Sequence, residues 1–222
     1  MDEKKLGLFD SLKLSNFYLL YLLGYVILVS ISLFTSKNNL TIDIFFEKVF
    51  VPAVTAALLE ELIFRYLIQR ELIKKYGRGI LKKELLMILI SSAIFGLSHL
   101  INIFYGEPVL YVLIQSIGTI AAGFFFGVFY YKTNRFLYCV GFHFVYDFLL
   151  LLGAVSEETT GTVVSILSVI LSALTVLILV LGTFAMVYSK NGKQIFVNEK
   201  KSKILYICSC IIVVVYFILP FI

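Results

Sequence analysis

Residues 58–68 read Leu-Leu-Glu-Glu-Leu-Ile-Phe-Arg-Tyr-Leu-Ile, two adjacent acids and an arginine inside a run that is otherwise apolar. The surroundings of these three charges decide the fold. The chain has 222 residues, 60% of them hydrophobic, with a mean hydropathy of +0.99. A soluble domain is nearer half apolar and disperses its apolar residues by period. Here they collect into seven blocks, at about 16–35, 49–70, 84–105, 109–131, 136–153, 162–188 and 203–222. Each is long enough to cross a hydrocarbon layer of roughly 30 Å as a helix. The polar loops between them are short. The composition therefore predicts an all-α, polytopic transmembrane bundle of about seven spans, a single integral membrane domain over 1–222, placed in the cell membrane as a multi-pass protein.

The first block is longer than a signal-peptide core, and no small-residue cleavage site follows it before Lys37, so it reads as a retained helix. Three cysteines (Cys139, Cys208, Cys210) lie in or beside apolar blocks. They suit packing, and their spacing fits neither a disulfide framework nor a metal site.

The net charge of +5 follows the spans. Sixteen of the nineteen Lys and Arg residues fall in alternate segments: the N-terminal tail, the loop at 70–83, the loop at 132–135 and the loop at 189–203. The opposite set holds only Lys37 and Lys48, and Arg65 lies inside a span. By the positive-inside rule the N-terminus is cytoplasmic and the C-terminus external. The basic balance thus reports topology and contact with the lipid bilayer. It implies no nucleic-acid partner.

Six ionisable side chains remain at hydrocarbon depth: Glu60, Glu61, Arg65, His99, His143 and Asp147. Both histidines of the chain are among them. Such groups are costly inside a membrane and mark functional sites by default. Glu61 and Arg65 stand one helical turn apart, acid first, as do His143 and Asp147, so each pair shares a helix face. Glu60 points about 100° away from Glu61 and needs a partner of its own. A desolvated carboxylate accepts a proton more readily than a solvated one, which suits Glu60 to act as a general base on water. Histidines and a carboxylate on other helices can bind a metal or donate to an oxyanion. The spacings alone leave a hydrolase and a proton-coupled carrier equally open, since carriers also use Glu, His and Asp chains. A carrier would show repeat symmetry with paired broken helices, and no second Glu-Glu-Arg pattern is found.

Three protease chemistries fail on reading. Neither histidine begins the H-E-x-x-H of a zinc protease. Asp147 has no second aspartate inside any span to form an aspartyl pair, and Gly96-Leu97-Ser98-His99 falls one residue short of a serine-protease G-x-S-G.

Glu60–Arg65 (EELIFR) is E-E-x-x-x-R, Phe95–His99 (FGLSH) is F-x-x-x-H, and His143–Asp147 (HFVYD) is H-x-x-x-D. In this order, on three spans, they resemble the CPBP family, the CAAX proteases and bacteriocin-processing enzymes also called Abi proteins. The resemblance covers about residues 50–150. It implies an intramembrane endopeptidase acting on a peptide or membrane-protein substrate. Glu60 would activate the water, Glu61 and Arg65 would support it, His99 would help position the water, and His143 with Asp147 would stabilise the oxyanion. Prenyl-processing relatives usually carry Asn at the last position, which donates as a neutral amide. Asp147 donates only when protonated, and this departure weakens a claim to prenylated substrates. The resemblance also admits a non-catalytic regulator or a bacteriocin self-immunity protein of the same fold. It allows a zinc on Glu60, His99 and His143. The metal-free reading is favoured, because these histidines lack a fixed local spacing, and no cofactor is expected.

Two details complete the reading. Gly123 and Gly127 form a G-x-x-x-G, which predicts close helix packing within the chain or, alternatively, a homodimer contact. Drawn as upright helices, His99 and His143 differ in depth by roughly 10 Å at 1.5 Å per residue. Tilt, a break near Gly96 or shifted boundaries must bring them level.

Overall fold

The computed structural model describes residues 41–157 without interruption, together with Val26, Leu177, 179–184 and 186–187. Apart from those positions, the spans expected at 16–35, 162–188 and 203–222 lie outside the described residues, as do both termini. Among the described residues the fold is all-helical, with no strand.

The first helix, α1, is an unbroken rod over 42–77. Thr41 opens it, extended at φ −75° and ψ 159°, with its hydroxyl accepting from the Ile44 N–H at 3.3 Å, and Asp43 adds an acid in the first turn. Both features favour a helix start. Along the rod, α-helical stretches (Ile42–Phe45, Val51–Glu61, Arg70–Leu72) alternate with wider π turns (Phe46–Phe50, Leu62–Gln69, Ile73–Gly77). Pro52 causes no break. A wide turn directly before it relieves a residue that lacks an N–H and crowds the carbonyl one turn back.

The alternation has a second effect. Val49, Ala53, Ala57, Glu61, Arg65, Gln69, Ile73 and Gly77 are all buried, and they recur every fourth residue. On a regular α-helix, with 3.6 residues per turn, a step of four drifts by about 40° each time. Turns closed by i→i+5 bonds hold more residues and take that drift back out. The seam therefore stays on one face along the rod, and Glu61 and Arg65 of the opening stretch lie in it, while Glu60 stands beside it.

The chain reverses at Gly77-Arg78-Gly79, where Arg78 (φ 52°) and Gly79 (φ 74°) are left-handed. Gly77 cannot be larger, because a Cβ there would stand 2.6 Å from Glu84 Cγ. Helix α2 (Leu81–Ser98) follows. Its buried Glu84 takes the Gly79 N–H at 3.2 Å on one oxygen and the Tyr131 hydroxyl on the other. After Ser98 the backbone tightens into a 3-10 segment, His99–Tyr105, which Gly106 ends at φ 90°. Helix α3 (Val109–Thr133) returns antiparallel to α2. Asn134 at φ 51°, a residue that tolerates the left-handed region, turns the chain into α4 (Phe136–Glu157).

The broadest contacts are α2 with α3 and α1 with α4. Leu81–Tyr105 and Val109–Thr133 are each long and apolar enough to cross a membrane, and Phe136–Leu152 is a shorter apolar stretch. Outward faces carry Leu110, Ile114, Ile117 and Leu137, all more than half exposed. A large exposed apolar surface of this kind fits lipid or a partner surface rather than water. The expected spans at 84–105, 109–131 and 136–153 thus coincide with helical segments, and the span at 49–70 lies inside a longer rod.

Between α2 and α3 the glycines do the work expected of close packing. A Cβ on Gly123 would meet Phe95 Cδ1 at 3.0 Å, and one on Gly127 would meet Ile88 Cγ2 and Gln69 Oε1 at 2.6 Å. The Gly123–Gly127 seam is filled from within the chain. Gln69 reaches across it to donate to the Gly127 carbonyl at 2.9 Å.

Candidate active site

The buried seam of α1 brings Glu61 and Arg65 against α2 and α4. Arg65 Nε lies 3.2 Å from Glu61 Oε2, and both side chains are fully buried. This is an ion pair by distance, without hydrogen-bond alignment, and neither Nη of Arg65 has a hydrogen-bond partner among the described residues. The guanidinium rests instead over the Phe95 ring, its Cζ 5.2 Å from the centroid. Such a cation–π contact is favourable in a desolvated site.

The other oxygen of Glu61 belongs to His143. Its Oε1 accepts from Nδ1 at 3.0 Å, across 82 residues of sequence. The i, i+4 spacings pointed to Glu61–Arg65 and His143–Asp147, but no sequence spacing reveals this link between helices. The opposite ring nitrogen faces two more carboxylates: His143 Nε2 is 3.3 Å from Asp147 Oδ2 and 3.6 Å from Glu60 Oε2. The latter contact exceeds hydrogen-bond length, so Glu60 faces the ring as a neighbouring charge. Glu60 and Asp147 keep modest exposure, 13% and 18%, whereas Glu61 is sealed. The two adjacent glutamates therefore divide as their 100° separation suggested, one sealed among Arg65 and His143 and one partly exposed beside His143.

His99 stands at the first residue of the 3-10 segment, where α2 changes its winding. Its Nδ1 is 3.1 Å from the Phe95 carbonyl. Phe95 joins the two histidines: its ring meets His99 edge-on at 5.2 Å and His143 edge-on at 6.1 Å. Both imidazoles thus contact one aromatic ring. Five of the six expected side chains form one connected group, and His99 joins it through Phe95.

Several contributors carry no signal of chemistry in the sequence. Phe126 stacks on the His143 ring at 5.4 Å and 19°, although the GFFFG stretch invites attention only to its glycines. Ser91 Oγ, fully buried on α2, donates to the Phe64 carbonyl at 2.8 Å inside the wide turn of α1. A serine in an apolar helix is usually read as a small packing residue, and only the structure shows which carbonyl it serves.

Zinc was allowed by the sequence on Glu60, His99 and His143. Among the described residues no three His, Cys, Asp or Glu side chains are grouped to hold a metal ion. His99 Nδ1 is directed to its own helix and His143 Nδ1 to Glu61. Both contacts occupy Nδ1 and leave Nε2, the nitrogen that a ligating histidine held in this way would offer.

Residues 43–149 match the family model described as type II CAAX prenyl endopeptidase, Rce1-like. No curated protein and no solved structure matches the chain significantly. The matched segment begins at the start of α1 and ends two residues beyond Asp147, and so contains every side chain of the site.

Proposed function

Since residues 43–149 belong to the Rce1-like family of CAAX-type endopeptidases, we propose that the chain is an intramembrane endopeptidase that hydrolyses a peptide bond with water activated by Glu60. The observation that carries this reading is the position of His143, held by Glu61 at Nδ1 and presenting Nε2 beside Glu60 and Asp147. A general base and a hydrogen-bond donor then flank one small space, as water attack on an amide requires.

In the proposed step, Glu60 takes a proton from water while the water oxygen bonds to the carbonyl carbon. His143 Nε2–H donates to the resulting oxyanion. The ring can donate there while Nδ1–H is engaged by Glu61 only if both nitrogens carry protons, and Glu61 and Asp147 on either side balance that charge. Collapse of the intermediate breaks the C–N bond, and the leaving amine takes the proton from Glu60. His99, beside the same phenylalanine, orients the water. Arg65 touches no reacting atom and balances Glu61.

The architecture that accompanies this reading is a multi-pass membrane protein of seven spans with a cytoplasmic N-terminus. Its substrate is a peptide or the end of a membrane protein, at or near the membrane surface. Asp147 in place of Asn favours substrates without a prenyl group.

The test is cleavage of a peptide library, with and without a chelator, by protein purified in detergent. Glu60→Gln retains shape and hydrogen-bonding capacity and loses the proton acceptor. The variant should fold as wild type and lose roughly 10²–10⁴-fold in turnover, the usual worth of a positioned base, while chelator should leave wild-type activity intact. A regulator or self-immunity protein would keep its full cellular function in Glu60→Gln, and that result would remove the enzyme reading.

A further inference from the structure

Glu61 Oε1 lies 3.0 Å from Nδ1 of His143 and Asp147 Oδ2 lies 3.3 Å from Nε2. Both contacts act at the edge of the imidazole, and its tilt, which decides how squarely Nε2 is presented beside Glu60 and Asp147, depends also on what packs against its faces. Phe126 supplies that constraint. Its ring lies nearly parallel to the imidazole, 19° off plane with centroids 5.4 Å apart, and is 1% exposed. Phe125 meets it edge-on at 5.6 Å. The Phe126 backbone carbonyl accepts from Cys139 Sγ at 3.8 Å, one turn before His143 on α4, so α3 and α4 are tied together at this level. The Phe95 ring also meets the imidazole, steeply inclined at 73° with centroids 6.1 Å apart.

We infer that Phe126 is a positioning residue, whose ring face fixes the plane of the His143 imidazole and thereby the direction of Nε2. The inference rests on the reading of His143 as the oxyanion donor, and it adds a residue outside the three motifs. An aliphatic side chain of similar volume would fill the same space without offering a flat face. Core packing alone would need only the volume.

The chain has two histidines, so full-length protein labelled at histidine gives two sets of ring resonances, assigned with His99→Asn. In Phe126→Leu the His143 set should move, because the stacked ring is gone, and the His99 set should stay. Turnover should fall about tenfold with KM changed less than about twofold, the rate equivalent of one aromatic stacking contact. Phe126→Tyr keeps the ring face and should restore both the resonances and the rate. Phe126→Met, a flexible apolar filler, carries the test if the leucine variant does not fold. The proposal is overturned if the His143 set stays in place in the aliphatic variants, or if the His99 set moves equally, which would mean general repacking. A wild-type protein that cleaves no peptide would overturn the enzyme reading, and the resonances would still decide the role of Phe126.

Discussion

Glu61 is held from two directions, by Arg65 on its own helix and by His143 on α4, and it is fully buried. Arg65→Ala removes its closest permanent cation and strands a charge where water cannot reach. Breaking a comparable buried pair costs about 3–5 kcal/mol, so protein levels and thermal stability in detergent should both fall. If Arg65→Ala accumulates like wild type and is inactive, the arginine belongs to the chemistry instead of supporting Glu61. The two pairings within single helices could be read from the sequence, since four residues make roughly one turn. The Glu61–His143 bond could not, because it depends on how two helices rotate and tilt against each other. The stacking of Phe126 was hidden for the same reason. Among twenty-one phenylalanines, nothing local distinguishes it.

At the scale of the element, the four described helices follow from apolar blocks and turn residues; α2 with its 3-10 continuation, α3 and α4 lie within a few residues of the apolar boundaries, whereas α1 runs seven residues past its block at each end. The π turns of α1 were not legible, because hydrophobicity reports length and face but not the number of residues in each turn. They show only in retrospect, in a buried set that repeats every four residues. The glycine motif was legible as a close approach, and the structure supplies what approaches. Gly127→Ala should cost about 1–3 kcal/mol as overpacking, because its methyl group would stand 2.6 Å from Ile88 Cγ2 and Gln69 Oε1. Gly141, on α4, has nothing among the described residues within 4 Å of its would-be Cβ. Gly141→Ala should therefore gain up to about 1 kcal/mol from helix propensity. Thermal unfolding in detergent compares the two signs, and equal destabilisation of both would contradict the packing described.

For the molecule as a whole, the charge distribution predicts an orientation. The turn between α1 and α2 exposes Lys75, Arg78, Lys82 and Lys83, while its buried acid Glu84 is turned inward. A cluster of exposed cations beside a span favours the cytoplasmic side. A reporter fused at 78–79 should read cytoplasmic, and one fused at the C-terminus should read external. A cytoplasmic C-terminus would mean that the seven-span count is wrong by one. The all-helical class and the family segment were legible in the sequence, because length and hydropathy determine the first and three short motifs the second.

The α2–α3 hairpin closes on itself with its own glycines, but the Glu61–His143 bond joins positions 82 residues apart. The order of synthesis therefore separates building from arming. A growing chain can pair α2 with α3 as soon as both have entered the bilayer, while Glu61 still has Arg65 alone for company. The site comes together only when α4 arrives with His143 and Asp147. Under the proposed chemistry, an unfinished or prematurely stopped copy would be a helical scaffold with a base and no oxyanion donor, unable to cut its neighbours during its own manufacture.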